Sequence, residues 1–497
     1  MSNIRNLIRI LIMTVAVAPT LSAEYPPVPN YPGDTSGWGT HIQRTMGLLE
    51  NSTAEAPNTV RILFYGQSIM GGQWHEIVEK WLRERYPHAR LEIENRALGG
   101  FSAAYLYRTA HHDLYPFYPD LVVFHVYGDH NRYEEIIHDI RQRTTAEVMI
   151  LTDHWNADRW KDGELEMNDW DRFYDRVVLP RVAGKYEAEL VDVRNPWGQY
   201  LRAHGLKPAD LLTDNVHLNE HGKWLMAQLT MRQMLHRPEL MTERSRDLVR
   251  DIPIGDEIRF EDGRLRLPFT GNRVSLVSDS AGIGAVEVRI DGRAPSDLPE
   301  SYFFTRPSGV VPPQSWPPLY RIRNRSPLVE EHWTLELLEV DDEWEDIRFR
   351  VVGSVTGPDG EGRSGETFTS DSGRVVIESE DWVLPNAKKH QERFPGKPLA
   401  PGMKIHWWAR SHGEDVYVQP SALGQRSVTP VFQGGFSEDR ELELRADGRI
   451  EQIRAIRIHT PPVGPGTFEP MGLRPGDTDK LDEGAVSEPT PDSPPRS

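Results

Sequence analysis

Short apolar runs alternate with helix-like segments from about residue 60 onward. Turn-forming residues flank each apolar run, and the runs cover residues 61–65, 91–93, 121–127, 148–152 and 190–193. The helix-like segments between and after them cover residues 75–86, 102–111, 133–143, 170–183 and 219–235. Short and continuously apolar runs are typical of buried parallel strands. The alternation therefore predicts an α/β fold, a three-layer α/β/α sandwich with a parallel sheet, over residues 59–240.

The pattern changes near residue 252. Beyond it, short segments alternate apolar with polar residues or are β-branched, and Asp-Gly and Pro-Asp-Gly turns separate them. These segments lie at residues 264–267, 273–277, 285–290, 333–338, 347–355, 374–378, 404–408 and 416–418. They predict a C-terminal all-β sandwich domain over residues 250–460. A chain of 497 residues is too long for a single core, which agrees with two domains.

The remaining segments have compositions of their own. Residues 1–23 combine Arg5 and Arg9 with an apolar stretch and end in Ala23, which predicts a signal peptide. A membrane anchor would need about 20 apolar residues, and this stretch has far fewer. Residues 24–58 are rich in Pro, Gly, Ser and Thr and predict an extended lead-in. Residues 461–497 are rich in Pro, Gly and acids and predict a disordered tail.

Charge and cysteine content narrow the possible functions. A net charge of -18 argues against nucleic acid or an anionic membrane as a partner, because both require a basic face. The chain has no cysteine, so thiol catalysis, zinc-thiolate sites and disulfides are excluded. With the signal peptide removed, we expect no membrane span and a secreted or periplasmic protein.

Candidate catalytic side chains follow the predicted strands. Ser68 follows the first strand, Gly100 the second, and the sequence Gly-Asp-His-Asn at residues 128–131 follows the third. Asp214 and His217 lie in the loop before the last helix. The carboxyl ends of parallel strands meet at one edge of the sheet, where α/β enzymes build their sites. A serine, an imidazole and a carboxylate are the groups of a serine hydrolase triad.

This set and order of blocks resembles the SGNH (GDSL-type) hydrolase superfamily over about residues 60–235, and the predicted fold is then SGNH/flavodoxin-like. The resemblance implies that Ser68 is the nucleophile, His217 the base and Asp214 the acid of the triad. It also implies that the backbone of Ser68 and Gly100 contributes to an oxyanion hole. The first block is Gly-Gln-Ser rather than Gly-Asp-Ser, a variant that resembles sugar O-acetylesterases of the same superfamily.

The third block departs from the family pattern. The family's Gly-x-Asn spacing places His130, not an asparagine, two residues after Gly128, and Asn131 follows one position later. Either side chain can donate an N–H to the oxyanion, so the sequence leaves both candidates open. Three segments of the β domain, at residues 269–278, 286–293 and 332–338, resemble the jelly-roll accessory modules of some SGNH carbohydrate esterases.

Structural roles compete with the functional ones. Ser68 could cap the helix that follows it, and Asp214 with His217 could form an ordinary Asx-turn beside a surface histidine. His154 and Trp155 follow the fourth strand and could bind the substrate. Neither a metal nor a cofactor is implied.

We therefore expect an exported serine esterase that removes acetyl or similar acyl groups from a polysaccharide or glycoconjugate. A lipase or arylesterase on the same fold is an alternative, although this polar chain offers no broad apolar patch for it. A catalytically silent glycan-binding protein, in which the altered third block marks lost activity, is the alternative from another class.

Overall fold

The computed structural model describes residues 25–255, 258–278, 285–306, 318–325, 328–393, 399–418, 426–446 and 453–478. The predicted signal peptide, residues 1–23, lies outside the described residues, as does the last part of the predicted tail, residues 479–497.

A five-stranded parallel sheet organises the first half of the chain. Its strands are β1 (Thr59–Gly66), β2 (Arg90–Asn95), β3 (Leu121–His125), β4 (Glu147–Leu151) and β7 (Glu189–Val191). They lie in the order β2-β1-β3-β4-β7, which is the flavodoxin-like order 2-1-3-4-5. A small hairpin, β5 (Trp160–Lys161) and β6 (Glu164–Leu165), lies outside this sheet. The predicted α/β/α architecture is confirmed.

Helices cover both faces of the sheet. They are α1 (Gln43–Glu50), α2 (Trp74–Arg85), α3 (Ala103–Asp113), α4 (His130–Arg143), α5 (Asp169–Phe173), α6 (Leu179–Tyr186), α7 (Arg194–His204), α8 (Glu220–Met231) and α9 (Glu243–Asp247). Alternate residues of β1 point to opposite faces, as the pleat requires. Leu63 and Tyr65 pack with α3, α4 and α6, whereas Ile62 and Phe64 pack with α1, α2, α7 and α8. The sheet is therefore buried on both sides.

Two local predictions in this domain need correction. The predicted helix at residues 170–183 is interrupted by a π-helical turn, Tyr174–Val178. Helix α7 has no counterpart among the predicted segments, and it contains both Pro196 and Gly198. In the structure Pro196 lies in the first turn of the helix, where its missing N–H is harmless. A Cβ at Gly198 would lie 2.9 Å from Nε1 of Trp155, so only glycine lets the helix pack this closely.

The prediction of an extended lead-in at residues 24–58 is wrong for part of its length. A 3-10 turn, Thr40–Ile42, and helix α1 form there, and Met46 and Leu49 are buried under the sheet. The residues around Pro26, at the start of this segment, lie against α7 and α8. Tyr200 Oη donates to the Pro26 carbonyl, and the Tyr25 ring packs against His221. The segment folds because its few apolar residues find a surface on the larger domain.

The predicted disordered tail is likewise wrong for residues 461–478. The backbone N–H of Met471 donates to Glu134, and Gln142 donates to the carbonyls of Gly464 and Gly466. Leu473 is buried in the core beside α4. A segment rich in proline and glycine cannot form a core of its own, but it can be held by the polar side chains of a neighbouring helix.

The second half is all β apart from α10 (Leu384–Arg393) and short 3-10 turns, as predicted, and forms two cores rather than one. The six-stranded antiparallel sheet contains β8 (Val249–Pro253), β9 (Arg264–Ser278), β10 (Ala285–Ile290), β18 (Val416–Val418), β19 (Ser427–Ala446) and β20 (Ile453–His459). The segments predicted at residues 264–267 and 273–277 are both parts of the single strand β9.

A β-sandwich with its own core is inserted between β10 and β18. Its strands are β11 (Arg323–Asn324), β12 (Glu331–Val340), β13 (Ile347–Gly353), β14 (Gly357–Arg363), β15 (Phe368–Thr369), β16 (Val375–Ile377) and β17 (Lys404–Ala409). The sheets β14-β13-β12-β17 and β11-β16-β15 share a core that includes Trp333, Phe349 and Trp382. In the part of the chain that is described, no helix is long and apolar enough to cross a membrane.

Candidate active site

The turn after β1 presents Ser68. Gly66 has a φ of +152°, and a Cβ there would lie 2.0 Å from the backbone oxygen of His125, so no other residue fits. Asn95, at the end of β2, donates to the Met70 carbonyl at 2.7 Å and holds the turn from the neighbouring strand. Helix α2 begins only at Trp74, with Gln73 as its N-cap residue. Ser68 therefore does not cap this helix, and its hydroxyl is available for another role.

Ser68, His217 and Asp214 form a continuous hydrogen-bonded chain. His217 Nε2 lies 2.9 Å from Ser68 Oγ, and His217 Nδ1 lies 2.7 Å from Asp214 Oδ2. A ring whose Nδ1–H donates to the carboxylate has a free lone pair on Nε2 toward the hydroxyl. This is the arrangement that lets a neutral imidazole take the serine proton as a bond to a carbonyl carbon forms.

Asp214 serves both the turn and the histidine. Its Oδ1 accepts the backbone N–H groups of Val216 and His217, each at 2.7 Å, while Oδ2 receives the ring N–H. The Asx-turn and the triad contact are thus made by one carboxylate. These hydrogen bonds, with the His217 backbone N–H first, hold the pKa of Asp214 well below its usual range. The carboxylate therefore stays ionised well into the acidic range.

The site is open to solvent. The side chains of His217 and Asp214 are 49% and 57% exposed, and Ser68 is half-buried. An imidazole and a carboxylate this exposed lie on a surface that a large substrate can reach without entering a deep cavity.

The segment after β4 supports the loop that holds Asp214 and His217. His154 Nε2 lies 2.7 Å from the Val216 carbonyl oxygen, and the backbone N–H of Ala157 donates to the Asn215 carbonyl at 2.9 Å. The Asn215 side chain in turn accepts the backbone N–H of Asp158 at 2.9 Å. These contacts hold in place the two residues that lie between Asp214 and His217.

The prediction that His154 and Trp155 bind substrate is wrong. His154 is 0% exposed and Trp155 is 7% exposed, so neither side chain can touch a ligand at the surface. The Trp155 indole donates to the Arg194 carbonyl at 2.8 Å. Burial lowers the pKa of His154 to about 4, so the ring is neutral at physiological pH and donates through Nε2 to the loop.

Two backbone N–H groups near Ser68 are available to an oxyanion. Among the described residues, no acceptor receives the N–H of Ser68 or of Gly100. Gly100 has a φ of +80°, which favours glycine, and a Cβ on the preceding Gly99 would lie 3.8 Å from the Cβ of Ser68. The turn that contains Gly99 and Gly100 thus lies directly beside Ser68.

The structure distinguishes the two candidates of the third block. His130 is the first residue of α4, its ring packs edge-on against Phe173, and its Nε2 lies 3.0 Å from the Leu473 carbonyl oxygen. This ring nitrogen is engaged by the C-terminal segment. Asn131 is half-buried, and its side-chain amide has no hydrogen-bond partner among the described residues.

Some residues of the site were not found from the sequence. Asn95 and Asn215 tie the nucleophile turn and the Asp-His loop to neighbouring segments, and His154 acts from the interior. Asn95 is the last residue of β2, five positions before Gly100, and this place at a strand end was the available signal. No sequence signal marks the other two contacts. The described residues contain no group of three or more His, Asp or Glu side chains arranged to hold a metal ion.

No protein-family model matches the sequence, and no curated protein matches it. Among solved structures, a two-domain esterase active on acetylated mannans is 12% identical, with 84% of this chain and 95% of that chain covered and a TM-score of 0.33. An acetyl xylan esterase is 20% identical over 35% of this chain and 100% of its own, with a TM-score of 0.32. A catalytic mutant of an acetylxylan esterase from Geobacillus stearothermophilus is 18% identical, with coverage of 38% and 99% and a TM-score of 0.32. Values this low say nothing about the chemistry of this chain, which has to be inferred from its own side chains.

Proposed function

We propose that the chain is a serine ester hydrolase of the SGNH type, exported from the cell, that removes acetyl groups from carbohydrates. One observation carries this proposal: Ser68 Oγ, the His217 ring and the Asp214 carboxylate lie within hydrogen-bond distance of one another in that order. A surface serine without a catalytic role does not require a hydrogen bond to an imidazole whose other nitrogen is bound by a carboxylate.

Each residue has one step in the proposed reaction. His217 takes the proton of Ser68 while Oγ attacks the ester carbonyl, and Asp214 stabilises the imidazolium that forms. The imidazolium then protonates the sugar oxygen as its bond to the acyl carbon breaks. The sugar alcohol departs, and the acyl group remains on Ser68. Water, deprotonated by the same ring, attacks the acyl-serine and releases the carboxylic acid and free serine.

The oxyanion is proposed to bind the backbone N–H groups of Ser68 and Gly100 and the side-chain amide of Asn131. Asn131 is preferred to His130 because the His130 ring is engaged by the Leu473 carbonyl. Each donor of this kind is worth about 3 to 4 kcal/mol of barrier.

A carbohydrate substrate is supported by the openness of the site, since the exposed His217 and Asp214 suit an acyl group carried on a polymer. The Gly-Gln-Ser block and the expected signal peptide support the same substrate class and export.

Hydrolysis of p-nitrophenyl acetate by the purified chain tests the proposal. We expect turnover in the wild type and a loss of at least about 10⁴-fold in Ser68→Ala. Ser245→Ala, at the opposite edge of the parallel sheet, serves as the control and should keep full activity. An inactive wild type would point instead to a glycan-binding protein.

The substrate is then identified by acetate release. Acetylated xylan, acetylated pectin and O-acetyl sialic acid are compared with p-nitrophenyl esters of increasing acyl length. We expect a preference for acetyl groups on sugars, whereas faster turnover of long acyl chains would indicate a lipase.

A further inference from the structure

A cavity lies at the edge of the parallel sheet where the strands begin, opposite the candidate active site. It is enclosed between the parallel sheet and the six-stranded sheet. Its volume is about 560 Å³, a size that suits a small-molecule ligand. On one side it is lined by residues at the amino ends of the parallel strands, including Thr59, Arg90 and Asp120. The other side comes from β8, β9, β19 and β20. Ser68 follows the carboxyl end of β1, so this cavity is separate from the candidate active site.

The residues that line this cavity are mainly basic, although the protein as a whole is acidic. Seven arginines line the cavity, but only three carboxylates do, those of Glu92, Asp120 and Asp251. The chain as a whole carries a net charge of -18. A local excess of cations in such a chain marks a place where an anion is attracted rather than repelled.

The three carboxylates are already used. The ion pairs are Arg44 with Asp120 at 2.8 Å, Arg61 with Glu92 at 2.7 Å, Arg457 with Asp251 at 2.6 Å and Arg426 with Asp251 at 3.0 Å. Each of these acids thus has an ion-pair partner other than Arg273 or Arg246.

Arg273 on β9 forms no ion pair with a carboxylate of the described residues. Its side chain lines the cavity, the residue is only 7% exposed, and its Nε has no hydrogen-bond partner. Its guanidinium lies 4.4 Å from the centre of the Tyr118 ring and forms no ion pair with a described residue, although the Asp120 carboxylate attracts it from beyond ion-pair distance. Burial, together with the charges of Arg61 and Arg457, lowers its pKa to about 10, so it remains a cation at neutral pH.

Arg246 on α9 lines the exposed rim of the same cavity. It forms no ion pair with any described residue. The cavity thus has one unpaired guanidinium in its interior and another at its mouth.

We propose that this cavity binds a small polyanion, a molecule with two or more carboxylate, sulfate or phosphate groups. A buried guanidinium without a counterion is costly, and the cavity gives an anion access to it. Arg273 binds one acidic group in the interior, and Arg246 binds a second at the rim. Guanidinium groups match the planar oxygens of carboxylates and phosphates with paired hydrogen bonds.

Binding to the full chain is measured by isothermal titration calorimetry in about 20 mM salt, where screening is weak. The probes are tripolyphosphate and trigalacturonate, and neutral maltotriose is the negative control. We expect a dissociation constant of about 10 to 100 μM for at least one of the two anions. Preference for one of them identifies phosphate or carboxylate as the recognised group.

Arg246→Gln tests the site without disturbing the core, and Arg250→Gln is its matched control. Arg250 is also exposed and unpaired, but it does not line the cavity. We expect about three- to tenfold weaker binding in Arg246→Gln and unchanged binding in Arg250→Gln. Arg273→Gln should weaken binding by more than tenfold, with folding checked by circular dichroism.

The proposal is overturned if neither anion binds at millimolar concentration. Equal losses in Arg246→Gln and Arg250→Gln would also overturn it, because they would show attraction to the surface as a whole. Hydrolysis of p-nitrophenyl acetate by the same samples reports separately on the proposed esterase function.

Discussion

The two edges of the parallel sheet differ in how their sites are built. At the carboxyl edge, a hydrogen-bonded chain of Ser68, His217 and Asp214 is exposed and lies within one domain. At the amino edge, arginines surround a cavity that two sheets enclose together. One site holds a serine hydroxyl beside an imidazole, and the other holds two guanidinium groups that form no ion pair with described residues.

The difference follows from the topology. The loops after parallel strands all leave from one edge, so residues distant in sequence meet there without help from a second domain. The opposite edge gathers the starts of the strands and is closed here by β9, β19 and β20. Variants that break one edge should therefore leave the other intact, and the following tests depend on that independence.

Among the variants that follow, the largest effect is expected for Asp214→Asn. An amide cannot stabilise the imidazolium and favours the wrong tautomer of His217, so kcat for p-nitrophenyl acetate should fall about 10³- to 10⁴-fold. Asp210→Asn is the control, because this nearby exposed carboxylate accepts only the Lys207 backbone N–H among the described residues. Polyanion binding should be unchanged in both variants, and a parallel loss there would show that the edges are coupled.

Asn131→Ala should lower kcat about 10²- to 10³-fold, because one oxyanion donor is lost. His130→Ala should lower kcat by less than tenfold, since the His130 ring is hydrogen-bonded to the Leu473 carbonyl. Steady-state kinetics on the same ester distinguish the two. The reverse order would assign the third donor to His130.

Asn272→Ala tests the contact between the two domains near the amino edge. Asn272 is 0% exposed, accepts from Tyr118 Oη at 2.8 Å and donates to the Arg143 carbonyl at 2.8 Å. Its removal takes a hydrogen-bond partner from each of these groups at a largely buried contact, which should lower the free energy of unfolding by about 1 to 3 kcal/mol. Urea denaturation measures the loss, with Thr270→Ala, an exposed polar residue of the same strand, as the control. Esterase activity at 25 °C should not change.

The smallest effect is a pH dependence from His154. The pKa of this buried ring is lowered to about 4 in the folded state, whereas the unfolded chain titrates near 6.5. Between these values the unfolded state binds more protons, so stability falls as the pH falls from about 6.5 toward 4. His154→Gln should reduce this loss between pH 7 and pH 5 by about 1 to 2 kcal/mol in urea titrations. An identical loss of stability in the variant and the wild type would show that His154 does not cause the pH dependence.

Elements with a strong local pattern were predicted well. The runs at residues 61–65 and 148–152 lie within or close to β1 and β4, because a strand buried on both faces must be continuously apolar. Segments held by partners distant in sequence were missed. Helix α1 and residues 461–478 are ordered by contacts with the α/β domain, such as Gln142 with Gly464, and composition alone does not reveal such contacts.

The same division holds for the site. Ser68, Asp214 and His217 could be identified because their residue types and their positions after strands carry a pattern. His154 and Trp155 stood at an equally suitable position, yet their side chains point inward. Position after a strand places a residue at the edge of the sheet, but it does not decide which way the side chain turns.

By itself, the sequence determined the α/β/α layers, the all-β second half and the three side chains that meet above the sheet. These features follow from periodicities of two and 3.6 residues and from the rule that parallel strands end together. Only the tertiary structure decided that the β region has two cores, that the Leu473 carbonyl engages His130, and that Arg273 is buried without an ion-pair partner among the described residues. Each of these depends on which distant groups fill the same space, and local pattern carries no information about that.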